Sequence, residues 1–318
     1  MMAEGRCPVA AGSQTHDSLA LLLERLDLRR VETDVYVDDG APDYLPRLFG
    51  GQVAAQALAA TGRTVETDRR VHSLHVYFLR PAMPNEKLYF NVERLKEARA
   101  FDTRRVTVNQ HGKPILSAAA SFHIAETGPE DPMASGHPVD PESLPRWEEQ
   151  FAGARHRLSP LWARSRPLDM RYAQLPAALD PVLAQRPRRH QCTYLRADGA
   201  FPDDPLLHAC LTVYASDMTL LETAILPHGT VWADGHFHGA SLDHAMWFHR
   251  PFRADRWLRY EQHAQCTGGS RGFATGCIYD EHGILVVSVA QEGLLRPTHG
   301  AGTWLAGTAP HHDERRSV

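Results

Sequence analysis

Hydrophobic positions in the first third of the chain show first helical and then strand-like spacing. An apolar run with helical spacing covers Leu19–Leu26. A second helix is predicted over Gly51–Thr61, where alanines dominate and the pair Gly50-Gly51 marks the start. The spacing then becomes the two-residue alternation of strands, in the runs VHSLHVYFL, KLYFNVERL, DTRRVTVNQ and PILSAAASFH. This pattern predicts one alanine-rich helix followed by an antiparallel meander.

A proline-rich segment interrupts these patterns near the middle of the chain. Glu126–Arg146 combines prolines and acidic residues without hydrophobic periodicity. This composition is typical of a linker. A short helix is predicted to follow, around Arg146–Arg157.

The second half of the chain repeats motifs of the first half at an offset of about 170 residues. Phe78-x-Arg80-Pro81 matches Phe248-x-Arg250-Pro251, and the first alanine-rich helix has an apolar counterpart in Leu206–Tyr214. Further matches join Arg99-Ala-Phe101 to Arg271-Gly-Phe273, His111-Gly112 to His282-Gly283, and Ser117 to Ser288. Two copies indicate a tandem duplication, with two sheets that pair side by side.

Composition and charge exclude several classes of protein. The 318 residues are 43% hydrophobic and 23% charged, which is typical of globular proteins and unlike disordered or fibrous ones. This length corresponds to roughly two domains. The net charge of −4 provides no overall basic surface for nucleic acid, so no nucleic-acid partner is expected.

Cysteine usage and apolar stretches bear on the compartment. The five cysteines are odd in number and widely spaced, so a disulfide framework is not expected and a reducing compartment is favoured. The start, MMAEGRCPVAAGS, has no apolar signal-peptide core. Uninterrupted apolar stretches are far shorter than the ~20 residues that span a bilayer. We therefore expect a cytoplasmic protein without a membrane partner.

Five long strings in both halves carry a family resemblance. In order along the chain, they closely resemble the type II acyl-CoA thioesterases, the bacterial TesB-like enzymes and their peroxisomal relatives: RLFGGQVAAQAL, VHSLHVYFLRPA, YASDMTLLETAILPH, SLDHAMWFHRPF and VAQEGLLR. The resemblance implies an α+β tandem (double) hotdog, in which an antiparallel sheet wraps a central helix in each half and the two sheets join. It also implies hydrolysis of fatty acyl-CoA to free fatty acid and CoA, with no cofactor.

This resemblance, which spans Val31–Pro297, sets the expected domain organisation. We expect an N-terminal hotdog over residues 16–125 and a Pro-rich linker with a short helix over 126–165. A C-terminal hotdog that carries the catalytic residues is expected over 166–297, followed by a tail over 298–318.

The resemblance also implies a catalytic set of an Asp, a Thr or Ser, and a Gln that hold and activate a water. The Asp of YASD falls on Asp217, the hydroxyl before L-D-H falls on Ser241, and the Gln of A-Q-E-G falls on Gln291. Many bacterial members carry Thr where this chain has Ser241. Either side chain supplies one donor and two acceptor lone pairs.

Local sequence alone leaves these three residues open to other interpretations. Asp217 suits a general base because burial between apolar runs would raise its pKa, but it could equally cap a helix that begins at Met218. Gln291 ends an apolar strand face, where an amide needs partners, and backbone groups could supply them. Ser241 precedes a strand and could be a turn residue. No G-x-S-x-G elbow indicates a side-chain nucleophile.

The repeat predicts one active centre per chain. Under its offsets, Gln291 corresponds to Ala120, while Asp217 falls near Thr61 and Ser241 near Val71. The N-terminal half therefore lacks all three polar groups and is expected to serve as a wall of the site.

Candidate substrate-binding residues come from both halves. Gly50 and Gly51 could present backbone N–H groups to the thioester oxygen at a helix N-terminus, or could only allow tight packing. Arg104, Arg250 and Arg271 are candidates for the CoA phosphates, since guanidinium groups match phosphate oxygens. We expect no metal, because His236-x-His238 and His311-His312 lack a further ligand at a suitable spacing.

Two other functions remain as alternatives. A hotdog enoyl-CoA hydratase or dehydratase needs a converging Asp–His pair, whereas Asp243 and His244 are adjacent in a predicted strand and would point to opposite faces. A non-catalytic acyl-CoA-binding module would not need polar groups confined to one half. Because hotdog sheets often assemble further, a homodimer or homotetramer is expected.

Overall fold

The computed structural model describes residues 14–40, 46–131, 133–136, 139–155, 158 and 165–298. Within this part of the chain, thirteen strands form one continuous antiparallel sheet. They are β1 (Arg29–Glu32), β2 (Val35–Asp38), β3 (Arg70–Phe78), β4 (Leu88–Glu97), β5 (Phe101–Gln110), β6 (Lys113–His123), β7 (Leu168–Tyr172), β8 (His190–Ala197), β9 (Phe237–Ser241), β10 (Asp243–Phe248), β11 (Leu258–Gly268), β12 (Arg271–Tyr279) and β13 (Leu285–Pro297).

The helices are few and mostly short. They are α1 (Gln14–Leu26), α2 (Gly50–Gly62), α3 (Trp147–Gln150), α4 (Pro205–Ser216) and α5 (Leu220–Thr223). Single turns of 3₁₀-helix occur at Pro141–Ser143, Ala177–Leu179, Leu226–His228 and Trp232–Asp234.

The order of strands confirms that two sheets join side by side. The order is β1-β2-β4-β5-β6-β3-β10-β13-β12-β11-β8-β7, and β9 pairs with the far end of β13. The halves meet where β3 pairs with β10, and this register places His75 opposite Ala245. These two positions are equivalent at the repeat offset, so a local two-fold axis passes between them. The predicted duplication is therefore visible in the hydrogen-bond pattern.

One hydrophobic core serves both halves. Every residue of α2 from Gly51 to Thr61 is buried, and α2 lies against β3–β6 and against α4. Its alanines and terminal glycines allow this close approach. A helix that is apolar on all sides belongs in the interior of a protein. The segment Pro205–His228, apolar enough by composition to cross a membrane, has 83% of its most apolar window buried in this core.

The sequence patterns predicted the long elements and missed the short ones. The alanine-rich helix, the N-terminal meander and the apolar helix of the second half all occur, and His111 and Gly112 both take positive φ in the predicted turn. Strands β1, β2, β7 and β8 were not predicted. The helix expected around Arg146–Arg157 is only the single turn α3.

The described part of the proline-rich segment packs onto the second half. Trp147 and Phe151 form a small cluster with Met170 and Tyr172 of β7. Further upstream, Ala134 bridges to Ile284 in an antiparallel contact. The chain between the halves is thus fastened to the C-terminal sheet.

Candidate active site

Asp217 lies at the end of α4, where it is the C-cap residue. Its side chain is largely buried and faces the N-terminus of α2, so a carboxylate of the second half meets a helix start of the first half. The short helix that follows has Thr219 at its N-cap position, without a side-chain cap hydrogen bond. The structure therefore does not use Asp217 as the N-cap of a helix beginning at Met218.

The structure brings Asp217, Ser241 and Gln291 together. The Gln291 side chain is fully buried on the inner face of β13. Its Nε2 donates to Asp217 Oδ1 at 2.5 Å and to Ser241 Oγ at 3.0 Å. Ser241 Oγ in turn donates to Asp217 Oδ1 at 3.4 Å. Ser241 reaches this position because it ends β9, which pairs with β13 at Gly293.

Burial controls the protonation of Asp217. Removal from water raises its pKa from 3.8 to about 6, because a buried carboxylate is disfavoured in its charged form. Hydrogen bonds from Gln291, from the backbone N–H of Gly51 and from Ser241 act in the opposite direction. The result is a carboxylate that can take up a proton near neutral pH.

The N-terminus of α2 completes the carboxylate site. Gly51 donates its backbone N–H to Asp217, as expected where a helix N-terminus meets an anion. A Cβ on Gly51 would lie 2.6 Å from the Phe49 ring and 2.9 Å from the carbonyl oxygen of Tyr214. A Cβ on Gly50 would lie 3.1 Å from the Phe78 ring and 3.2 Å from Asp217 Oδ2. Both glycines therefore permit a close approach of helix, ring and carboxylate.

A cavity of about 800 Å³ opens onto this site. Both halves line it, the first through Phe49, Gly50, Val53 and Phe78 and the second through Asp217, Met218, Leu221, Trp232 and Ser241, among others. The wall is mainly apolar, with Asp217, Ser241 and Glu222 as polar groups within it and with Arg47, Arg80 and His238 at its exposed side. Such a cavity suits an apolar chain that carries one reactive polar group.

Comparisons with known proteins bear on this arrangement. Residues 164–294 match a family described as acyl-CoA thioesterase, and residues 39–123 match one described as acyl-CoA thioesterase N-terminal domain. Human acyl-coenzyme A thioesterase 8 is 36% identical over 288 residues, which cover 85% of this chain and 87% of the human protein. The chain belongs to the type II acyl-CoA thioesterases. It is a thioester hydrolase.

Further similarities agree with this family and with its fold. The thioesterase is 31% identical to acyl-CoA thioesterase 2 of Haemophilus influenzae over 284 residues, 88% of this chain and 98% of that one. The crystal structure of acyl-CoA thioesterase II TesB2 from Mycobacterium marinum matches it with a TM-score of 0.72 and 39% identity, covering 88% and 99% of the two chains. The α+β double hotdog expected from the sequence is confirmed.

The arginines predicted to bind CoA phosphates do not face the cavity of the thioesterase. The guanidinium of Arg104 is buried and bonds to Thr64 and Glu97, so this prediction is wrong. Strand alternation places Arg104 on the inner face of β5. Arg271 pairs with Glu292 on the surface, outside the cavity lining.

Arg250 also lies outside the cavity lining, whereas its counterpart in the repeat, Arg80, lies within it. Arg250 donates to the carbonyl of Leu285, and its first-half counterpart Arg80 makes the equivalent bond to the carbonyl of Pro114. Of these two arginines, only Arg80 lines the cavity. The exposed residues Arg47 and His238 line it as well. The repeat offset could have pointed to Arg80, but the sequence does not show which copy faces the cavity.

The Asp243–His244 pair does not converge. Asp243 accepts a hydrogen bond from the backbone N–H of Glu292, while the neighbouring His244 is buried on the inner face of β10. His244 is not part of the cavity lining. This separation is the one expected for adjacent strand residues and gives no acid–base pair for a hydratase.

One group of potential metal ligands occurs among the described residues: His190, Glu261 and His263. The Gln174 amide donates to His190 Nδ1 at 3.3 Å while its oxygen accepts from the backbone N–H of Cys192. His190 Nδ1 is therefore an acceptor, and its other ring nitrogen carries the proton. We assign no metal to this cluster. His311-His312 and the tail from residue 299 lie outside the described residues.

Sequence reasoning missed a second acid in the cavity wall. Glu222 of α5 lines the cavity, and burial raises its pKa to about 7. The only sequence signal was a single acid inside the apolar run MTLLETAIL.

Proposed function

We propose that the thioesterase hydrolyses fatty acyl-CoA with a water molecule activated by Asp217, Ser241 and Gln291. The observation that supports this most strongly is the closed set of hydrogen bonds among the three side chains, two of which lie in the cavity wall. A general base must lie within hydrogen-bond reach of the proton that it removes and have a pKa near the working pH. Asp217 has such a pKa and borders the cavity.

In the proposed reaction, ionised Asp217 takes a proton from the water as its oxygen bonds to the thioester carbonyl carbon. The π electrons of the carbonyl move onto its oxygen, which becomes an oxyanion. This intermediate collapses by breaking the C–S bond, and the leaving sulfur receives the proton from Asp217. The products are the free acid and the CoA thiol, and Asp217 is restored. Ser241, which lies in the cavity wall, orients the water, and Gln291 holds the Asp217 carboxylate and the Ser241 hydroxyl in place.

We place the thioester oxygen near Gly50. Gly51 already donates its N–H to Asp217, whereas Gly50 lies in the cavity wall at the start of α2. A helix N-terminus stabilises the negative charge that develops on such an oxygen. This assignment gives the N-terminal half a part in the chemistry as well as in the wall.

The two ends of the substrate have different surroundings. The apolar wall of Phe49, Val53, Met218 and Leu221 suits the acyl chain. We assign the CoA phosphates to the exposed side, where Arg47 and Arg80 supply guanidinium groups.

Release of free thiol from short-, medium- and long-chain acyl-CoA tests the proposal. We expect Asp217→Ala and Gln291→Ala to lower kcat by at least about 100-fold, because general-base catalysis contributes this much or more. Gln262→Ala is the matched control: it removes an equally buried glutamine that bonds to Thr223, outside the cavity. A loss of less than about tenfold for Asp217→Ala would contradict the assignment of the base.

We also propose a cytoplasmic location and a homodimer or homotetramer. All four cysteines in the described part of the chain are free, as is usual in a reducing compartment. Tyr77 and Trp247 are exposed on the outer face of the central strands, where large aromatic side chains are typical of interfaces. Sedimentation analysis of the full chain tests the assembly, and a monomer would exclude it.

A further inference from the structure

His244 lies directly behind the proposed catalytic group. In the register of β10 and β13, Ala245 pairs with Ala290, so the next inner-face positions are His244 and Gln291. Both side chains are buried, with His244 only 1% exposed. The imidazole therefore neighbours the Gln291 side chain, and neither residue is part of the cavity lining.

Each of these two neighbouring side chains has one buried polar atom without a hydrogen bond. Gln291 uses its Nε2 for Asp217 and Ser241, which leaves its Oε1 buried and without a hydrogen bond. His244 Nδ1 is likewise buried without a hydrogen bond. An unpaired buried polar atom costs about 1–3 kcal/mol. A donor at Nδ1 and an acceptor at Oε1 satisfy each other.

The other side of the imidazole fixes its orientation. His244 Nε2 lies 2.8 Å from Ser216 Oγ, and Ser216 directly precedes Asp217. If Nδ1 carries the ring proton, Nε2 accepts from the Ser216 hydroxyl and no atom of the set lacks a partner. Burial lowers the pKa of His244 to about 4, so the ring is neutral at working pH, while the Gln291 side chain acts in the opposite direction.

We propose that His244 is a positioning residue: its Nδ1–H donates to Gln291 Oε1 and holds the amide nitrogen towards Asp217 and Ser241. This inference rests on the proposed function of Gln291. If the amide rotated by half a turn, its oxygen would face the Asp217 carboxylate, acceptor against acceptor. His244 prevents this rotation without touching substrate.

The test compares two substitutions of His244 in the full-length enzyme. His244→Asn keeps a donor near the Nδ1 position, whereas His244→Leu fills similar space without a donor. We expect His244→Leu to lower kcat by on the order of 10- to 100-fold, with KM nearly unchanged, because small misplacements of catalytic groups have effects of this size. His244→Asn should retain kcat within about threefold. Equal losses of kcat in both variants would overturn the proposal.

A double-mutant cycle separates this proposal from the proposed function. If His244 acts through Gln291, adding His244→Leu to Gln291→Ala should change kcat by less than about twofold. An independent further loss would show that His244 acts elsewhere. If Gln291→Ala is inactive but His244→Leu has wild-type kcat, only the positioning role fails. If Gln291→Ala itself is fully active, the proposed site fails.

Ser216→Ala provides a second route if the His244 variants do not fold. It removes the hydroxyl that bonds to Nε2 and leaves the imidazole in place. We expect a loss of kcat of about three- to tenfold, smaller than that of His244→Leu, because only the orientation of the ring is relaxed. Wild-type kcat in Ser216→Ala would contradict the proposed chain of hydrogen bonds.

Discussion

Both side-chain hydrogen bonds to Asp217 arrive at the same oxygen atom, Oδ1. They fix the plane of the carboxylate, while Oδ2 lies towards Gly50 in the cavity wall. These hydrogen bonds lower the pKa of Asp217, whereas burial raises it. With Asp217 as the proposed base, these few contacts would set the pH dependence of the enzyme.

The activity should fall on the acid side with an apparent pKa of about 6. Because burial raises the pKa of Asp217, the carboxylate gains a proton, and the base is lost, as the pH falls through this value. Ser241→Ala removes a hydrogen bond that lowers this pKa, so its acid limb should move to higher pH. The measurement is the pH profile of kcat/KM, which reports groups of the free enzyme.

Glu222 provides the control for this profile, since its pKa of about 7 lies close to the same range and it borders the same cavity. Glu222→Gln should leave the limb near pH 6 in place. Disappearance of that limb in Glu222→Gln would assign it to Glu222 instead.

Sequence reasoning predicted some residues of the candidate site and was wrong about or missed others. Asp217, Ser241 and Gln291 were found through long strings that resemble a family, since their local contexts also fit caps and turns. Arg104 was misjudged although its place in the alternation of β5 indicates the inner face. The sequence drew attention to His244 only as a neighbour of Asp243, because its proposed positioning role depends on a partner 47 positions away in another strand.

At the scale of elements, α2 carries the contribution of the N-terminal half. Its first turn meets Asp217, and its last turn meets the start of α4, where a Cβ on Gly62 would lie 2.5 Å from the Leu206 side chain. The two ends of the helix thus have different surroundings. The first turn contacts the carboxylate of the proposed base, and the last turn contacts an apolar side chain.

Alanine substitutions at the two ends should have different effects. Gly51→Ala places a Cβ against the Phe49 ring and the backbone carbonyl of Tyr214, so we expect the helix start to shift and kcat to fall at least about tenfold. Gly62→Ala meets the flexible end of Leu206, and kcat should stay within about threefold. Thermal unfolding of both variants controls for stability. Equal kcat values would argue against a role of the α2 N-terminus.

Long elements could be predicted because each carries several repeats of its own period. The four strands of the first meander and the two apolar helices each span nine residues or more. Strand β1 has only four residues, all exposed, and β7 has five that are buried on both faces. Strand β1 lacks alternation, and the alternation of apolar and charged residues in β7 (LDMRY) covers only two periods, too few to predict a strand.

At the scale of the molecule, the proposed active site belongs to both halves and to neither alone. The first half supplies the start of α2 and part of the cavity, and the second supplies the three polar side chains. The corresponding place in the repeat is apolar: Leu206 packs at Gly62, and Ala120 stands where Gln291 would be. This supports the prediction of one site per chain.

A chain divided between Gly128 and Pro129 should be active only when both fragments are present. This cut lies in an exposed stretch and leaves the bridge from Ala134 to Ile284 with the second fragment. Co-expressed fragments should assemble through the β3–β10 pairing and the packing of α2 against α4, and recover activity within about tenfold. Thiol release by the C-terminal fragment alone would contradict a shared site.

The pairing of His75 with Ala245 has a meaning for the history of the chain. Two identical subunits related by a two-fold axis can place only identical residues opposite each other on that axis, so any substitution there must be accepted twice at once. Once both copies lie in one gene, each position mutates separately. A histidine facing an alanine, with the Trp247 ring edge-to-face against the imidazole, is a combination that two identical subunits cannot place on their axis.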